Sequence, residues 1–176
     1  LKDLASLRKL TVLRVNGNPL TDAGVKEIVA LENLTTLSLD VTKITDASLK
    51  ELTKLKKLTT LSLYYTAVTD AGLKDLATLT ELTELNLRAT QVTDAGIKEL
   101  LGLQNLKSLN LAETRLTDAA LKDLAKLPNL TTLDLRPPVG IVNRGTPDLT
   151  EAGVEALRKA LPKCAIAWED DRGANR

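Results

Sequence analysis

The chain has 176 residues, with 24 basic and 23 acidic side chains and a formal net charge of +1, so no global field steers it to nucleic acid or anionic lipid. Aromatic content is 2%, and Phe, Met and His are absent; Leu, Val, Ile and Ala must build the core, and chemistry that needs an imidazole base or ligand is excluded. The single cysteine excludes an internal disulfide, and no apolar run approaches the ~18 residues that span a bilayer.

Residues 1–10, Leu-Lys-Asp-Leu-Ala-Ser-Leu-Arg-Lys-Leu, line up with Leu-Lys-Glu-Leu-Thr-Lys-Leu-Lys-Lys-Leu at 49–58. The chain therefore starts within a repeat, without an initiating Met and without a visible signal peptide, and reads as a fragment or processed form whose upstream repeat or cap is missing. Leu4, Leu7 and Leu10 are expected to leave an uncovered apolar face, which predicts fraying of residues 1–10 or self-association through that end. From 10 to 135 the sequence repeats every 24 residues: Thr-Asp-Ala recurs at Thr21, Thr45, Thr69, Thr93 and Thr117, and an altered copy stands at Thr150-Glu151-Ala152-Gly153. Such a period marks a solenoid, in which each unit packs on its neighbours.

Each unit has two halves. Leu37 and Leu39, Leu61 and Leu63, Leu85 and Leu87, and Leu109 and Leu111 alternate with period 2, which predicts a short strand with one buried face. Leu73, Leu76 and Leu79, like Leu121, Leu124 and Leu127, follow i, i+3, i+6 and predict a short helix. Strand and helix repeated in one direction give a parallel sheet with right-handed crossovers. Strands stack ~4.8 Å apart and helices ~8–10 Å apart, so the array curves with its sheet inside.

Several columns of the repeat read as framework. Thr-Asp opens each helix, and the residues Asp22, Asp46, Asp70, Asp94 and Asp118 are expected to serve the helix start in a ladder too open to share a metal ion. Gly24, Ser48, Gly72, Gly96, Ala120 and Gly153 call for smallness rather than a positive φ. The unvarying Ala23, Ala47, Ala71, Ala95, Ala119 and Ala152 are expected to press on the neighbouring unit, so that Ala95→Leu would overpack the array. Asn18, Thr42, Thr66, Thr90 and Thr114 predict a buried polar ladder that ends at Pro138. Pro137 to Asp148 contains a nine-residue insertion before the next Thr and reads as a surface loop. Residues 161–168 resume strand alternation, with Trp168 over the last open face and Cys164 as a structural thiol.

Taken together, the Thr-Asp-Ala-Gly units resemble leucine-rich repeat proteins of the 24-residue type, common in large bacterial proteins including those of planctomycetes, and similar to the repeats of ribonuclease inhibitor and F-box proteins. The resemblance implies an α/β fold: a right-handed leucine-rich repeat solenoid, a curved horseshoe with a parallel sheet on its concave face and short helices on its convex face. It implies one domain over 1–176, made of a truncated repeat (1–10), regular repeats (10–135), an insertion loop (136–148), a final helix and capping strand (149–168) and a polar tail (169–176). It also implies binding of other macromolecules on the concave sheet.

The outward strand positions vary where the framework does not. Tyr64 and Tyr65 are the only tyrosines, Arg88 lies one unit from Tyr64, and Tyr and Arg dominate interface energetics. The candidate binding site is therefore Tyr64, Tyr65, Arg88, Asn86, Glu84, Asn110, Glu113, Asp134, Arg136 and Asp40, extended by the loop from Pro137 to Asp148. A bland reading of Tyr64 and Arg88 is a stacked pair that shields the sheet. The carboxylates are scattered rather than paired for acid–base work, and no Gly-rich phosphate loop exists. No catalytic residue, metal site or cofactor is expected. Lys26, Lys50, Lys74, Lys98 and Lys122 run beside Glu27, Glu51, Asp75, Glu99 and Asp123 as a self-neutralising convex surface, which points away from nucleic acid and membrane. The leading expectation is a non-enzymatic module that binds a protein or peptide. The alternatives are a structural, spacer or engineered array with no ligand, and a glycan-binding array.

Overall fold

A computed structural model of the chain describes residues 6–138 and 149–168. Seven three-residue strands form one parallel sheet in sequence order: β1 (Val12–Arg14), β2 (Thr36–Ser38), β3 (Thr60–Ser62), β4 (Glu84–Asn86), β5 (Ser108–Asn110), β6 (Thr132–Asp134) and β7 (Ala165–Ala167). Six helices alternate with them: α1 (Asp22–Ile28), α2 (Asp46–Leu52), α3 (Asp70–Leu76), α4 (Asp94–Glu99), α5 (Asp118–Leu124) and α6 (Glu151–Ala160). The register repeats the sequence period: Leu37 pairs with Leu61, Leu61 with Leu85, and Leu85 with Leu109. At the insertion the offset grows by the nine extra residues, and Leu133 pairs with Ile166. This is the open leucine-rich repeat solenoid expected from the sequence.

The inward leucines carry the array. Leu58, Leu61, Leu63, Val68, Leu73, Leu76 and Leu79 are all buried, and the same seven positions recur in the neighbouring units. Burying each such side chain is worth about 1.5–3 kcal/mol. The helices are shorter than the apolar stripe. α3 stops at Leu76 with Ala77 as its C-cap, and Leu79 reaches the core from the turn beyond, where its N–H donates to the Leu76 carbonyl. In the regular units only about two helical turns fit above each strand, and tight turns place the third leucine.

Repeated polar bonds lock the units together. The threonines before the strand, Thr35, Thr59, Thr83 and Thr131, each donate at 3.1 Å to the carbonyl 24 residues earlier. After the strand, the hydroxyls of Thr42, Thr66, Thr90 and Thr114 donate to the carbonyls of Leu39, Leu63, Leu87 and Leu111 at 2.5–2.7 Å. This is the expected polar ladder, with Thr42, Thr66 and Thr90 buried. Asn18 does not join it; its exposed amide donates to Asn16 instead.

The aspartates at the helix starts do something other than cap their own helices. The N-cap is threonine: Thr45, Thr69, Thr93 and Thr117 accept from the amides of Ala47, Ala71, Ala95 and Ala119 at 3.2–3.3 Å. Each aspartate instead reaches the threonine of the following unit. Asp70 accepts from the Thr93 N–H (2.8 Å) and hydroxyl (2.6 Å), and Asp22, Asp46, Asp94 and Asp118 hold Thr45, Thr69, Thr117 and Thr150 in the same way. One Thr-Asp pair thus caps a helix and staples it to its neighbour.

The small column follows from the staple. A Cβ built on Gly96 would stand 2.3 Å from Asp70 Oδ1, and one on Gly72 would stand 2.5 Å from Asp46 Oδ1. Ser48 resolves the crowding by donating to Asp22, and in the unit with Ala120 at this position the bonds from Thr117 to Asp94 are intact. The alanine column is a correction. Ala23, Ala47, Ala71, Ala95, Ala119 and Ala152 are exposed, so Ala95→Leu has no neighbour to overpack. In the four regular caps the amides of Ala47, Ala71, Ala95 and Ala119, not their side chains, serve the repeat.

Candidate functional site

The concave face is made of the outward residues of each strand and the two residues that follow it. Where the chain leaves the strand, Val41, Tyr65, Ala89 and Glu113 adopt φ of 53–59°, as Gly17 does at 67°. Their N–H groups extend the ladder, reaching the carbonyls of Tyr64, Arg88, Ala112 and Arg136 at 2.8–3.0 Å. A left-handed conformation costs a non-glycine residue roughly 1–2 kcal/mol. The column reaches Pro137, whose ring cannot adopt a positive φ, and there the regular turn ends. Gly17 was the one sequence signal for this column.

Tyr64, Tyr65, Arg88 and Glu113 are brought together. The tyrosine rings lie 6.0 Å apart, tilted by 51°, and the Arg88 guanidinium carbon stands 5.3 Å from the centre of the Tyr64 ring. The same guanidinium donates to Glu113 Oε1 from Nε (3.1 Å) and Nη2 (2.6 Å). Tyr65 is 63% exposed, and Tyr64 is half-buried beneath the arginine.

Most of the other candidates are engaged in the sheet itself. Asp40 accepts from the hydroxyls of Ser38 (2.9 Å) and Ser62 (2.5 Å) and from the Tyr64 N–H (2.9 Å). Asn86 accepts the Arg88 N–H at 3.0 Å and donates to Ser62 at 3.0 Å. Asn110 accepts the Ala112 N–H at 3.0 Å. Asp134 accepts the Arg136 N–H (3.1 Å) and both arms of its guanidinium (2.9 and 2.6 Å). These side chains satisfy strand-end amides that no neighbouring strand reaches. Glu84 differs: it is exposed and has no partner among the described residues.

Two clefts open on this side. One of about 290 Å3 lies over β3–β5, lined by Thr60, Ser62, Glu84, Asn86, Ser108 and Asn110 with Leu61 and Leu85 beneath. Thr60, Ser62 and Ser108 were visible in the sequence only as members of outward columns. A second, of about 300 Å3, lies at the last units between Leu111, Leu116, Leu135, Leu149 and Trp168, with Glu113 and Arg136 at its edge. Residues 139–148 of the expected loop, like Leu4 and the tail after Trp168, lie outside the described residues.

For chemistry the arrangement offers little to work with. Cys164 is partly buried against the core, and burial pushes its thiol up, which lowers its thiolate fraction. Among the described residues no cluster of Cys, Asp or Glu is placed to hold a metal ion.

Two leucine-rich repeat profiles match the chain, one over residues 80–136 and one over 6–29 and 54–77. No curated protein matches it. Among solved structures it is similar to an internalin C2 of Listeria monocytogenes, with 28% identity and a TM-score of 0.74 over 96% of this chain and 65% of that one. An internalin, inlF, of the same organism matches at 24% identity and a TM-score of 0.71 over 95% of this chain and 50% of that one. A leucine-rich repeat protein of Leptospira interrogans matches at 24% and 0.59, over 94% and 50%. The chain thus spans about half to two thirds of these structures' lengths.

Proposed function

We propose that this chain, a leucine-rich repeat protein, works as a non-enzymatic recognition module that takes a protein or peptide on its concave sheet. The observation that carries the reading is the division of labour among polar groups. Hydroxyls and carboxylates that recur in every unit are spent on caps, staples and strand ends. Groups that do not recur in every unit, Tyr64, Tyr65, Arg88 and Glu84, gather on and just after two adjacent strands, β3 and β4, and leave aromatic and charged surface facing outward. Tyr and Arg in a shallow concave setting form the kind of patch that anchors an interface. The Tyr64–Arg88 stack is compatible with this role, because a preorganised arginine loses less entropy on binding.

The convex face supports the same reading. Its lysines are exposed beside acidic neighbours, with Asp123 paired to Lys126 at 2.6 Å, so it offers no basic stripe for nucleic acid. No described helix is long and apolar enough to cross a membrane. Self-association through the first unit forms part of the proposal, as does a bacterial, planctomycete-like source for these repeats.

The test is capture of partners from a bacterial lysate with the 176-residue chain, followed by titration of the captured protein. Tyr64→Ala, Tyr65→Ala and Arg88→Ala should each weaken binding by about 1–4 kcal/mol and leave the melting temperature within a few degrees. A saturable partner indifferent to all three would move the site elsewhere, and no saturable partner at all would favour a spacer.

A further inference from the structure

Four carboxylates lie along the concave side in the regular units, and three of them are already answered. Asp40 accepts two hydroxyls and an amide. Glu113 is paired with Arg88, and Asp134 with Arg136, each at 2.6 Å. Glu84 alone of the four has no partner among the described residues. A lone surface carboxylate is ordinary; its surroundings are what distinguish this one.

Glu84 stands on β4, the middle strand of seven, in the wall of the cleft over β3–β5. In register it is flanked by Thr60 and Ser108, whose hydroxyls have no partner among the described residues. On the diagonal is Asn110. Its Oδ1 is fixed by the Ala112 N–H, which leaves both protons of Nδ2 available to the cleft. Arg88, at the end of the same strand, is held by Glu113 and the Tyr64 ring and does not neutralise Glu84. The cleft therefore offers one uncompensated anion, two hydroxyls and a directed amide donor.

We infer that this cleft receives an arginine or lysine side chain from an extended protein segment lying across β3, β4 and β5. The cationic head pairs with Glu84 and donates to the Thr60 or Ser108 hydroxyl, and a guanidinium fork suits this better than an ammonium because it supplies several donors at fixed angles. Asn110 Nδ2 donates to a main-chain carbonyl of the same segment, while Tyr65 packs beside it. The inference rests on the concave-face reading and names the partner chemistry for it.

A random linear heptapeptide library displayed on phage and panned on the chain tests it, with Glu84→Gln and Tyr64→Ala panned in parallel. Glu84 is exposed, so Glu84→Gln keeps the wild-type melting curve. The expected result is peptides with Arg or Lys at one recurrent position, whose synthetic forms bind about tenfold more weakly to Glu84→Gln, and selection of acidic peptides by Glu84→Lys. Peptides with no basic preference, whose binding still falls with Tyr64→Ala, would overturn this inference and leave the concave face standing. Peptides indifferent to both variants, or no enrichment at all, would overturn both. Binding on a neutral glycan array that Glu84→Gln abolishes, without peptide enrichment, would overturn the inference in favour of a sugar.

Discussion

Asp70 illustrates how much one side chain does in a repeat protein. Its carboxylate accepts both the amide and the hydroxyl of Thr93, and that hydroxyl in turn accepts the Ala95 amide. Removing the carboxylate strands a main-chain N–H between two units and loosens the cap of α4. Asp70→Ala should therefore cost about 1–3 kcal/mol, against about 0.5 kcal/mol for an ordinary surface aspartate. Urea unfolding of Asp70→Ala beside Asp75→Ala, whose position is on the convex side, measures the difference, and equal midpoints would refute the staple. The same bond pattern acts on ionisation at the first rung. Burial, the largest single influence on Asp22, pushes its carboxyl up, but hydrogen bonds from Ser48 and Thr45 together outweigh it and leave it below the ordinary value. A carboxyl lowered by folding stabilises the fold above the unfolded value and loses that contribution as the pH falls through the folded one.

The strand-to-turn corner is the element that sets where binding groups can stand. Each corner is left-handed at one residue, and in four of five units that residue is not glycine. Val41 is the most strained chemically, since β-branched side chains tolerate positive φ poorly, and it is 46% exposed, so little packing is lost on replacing it. Val41→Gly should raise stability by up to about 1 kcal/mol, the relief of strain exceeding the entropy glycine gives back to the unfolded chain. Thermal unfolding checks this, and a fall in the midpoint would show that the valine earns its place by contact. These corners mark the limit of what could be read in advance. Leucine periodicity exposed strands, register and solenoid because burial of one face is a property of spacing alone. The left-handed corner hid behind Val, Tyr, Ala and Glu, because the ladder bonds on either side enforce it whatever the side chain. The Asp–Thr staple was hidden for another reason: it joins residues 23 apart in the chain, where local capping logic sees only a helix start. The alanine column misled similarly, its constancy pointing to contact when its amide was the useful group. At the site, the spacing of outward columns placed Tyr64 beside Arg88, but which carboxylates were already spent depended on strand-end amides that spacing does not reveal.

The described array has two end units, and the behaviour of the 176-residue chain in solution turns on how each is covered. At the C-terminal end, β7 adds a strand on β6, and Ile166 and Trp168 pack against the core. At the other end, Leu10, Leu13 and Val15 touch the core but are only partly covered, Leu7 is 49% exposed and Val12 41% exposed. Among the described residues β1 pairs only with β2. An apolar rim beside a strand paired on one side favours stacking of a second copy, edge to edge or end to end. Only a few apolar side chains form this rim, and stable complexes typically bury roughly 1,200 Å2 or more, so the 176-residue chain should dimerise weakly and reversibly rather than form a fixed oligomer. Sedimentation velocity over a concentration series should show the weight-average coefficient rising with concentration. Leu7→Glu and Val12→Lys, each placing charge on the rim without touching the buried leucines, should abolish the rise while Tyr65→Ala leaves it unchanged. A coefficient flat with concentration would count against association through this end, and a rise that survives both rim variants would place the contact on another face.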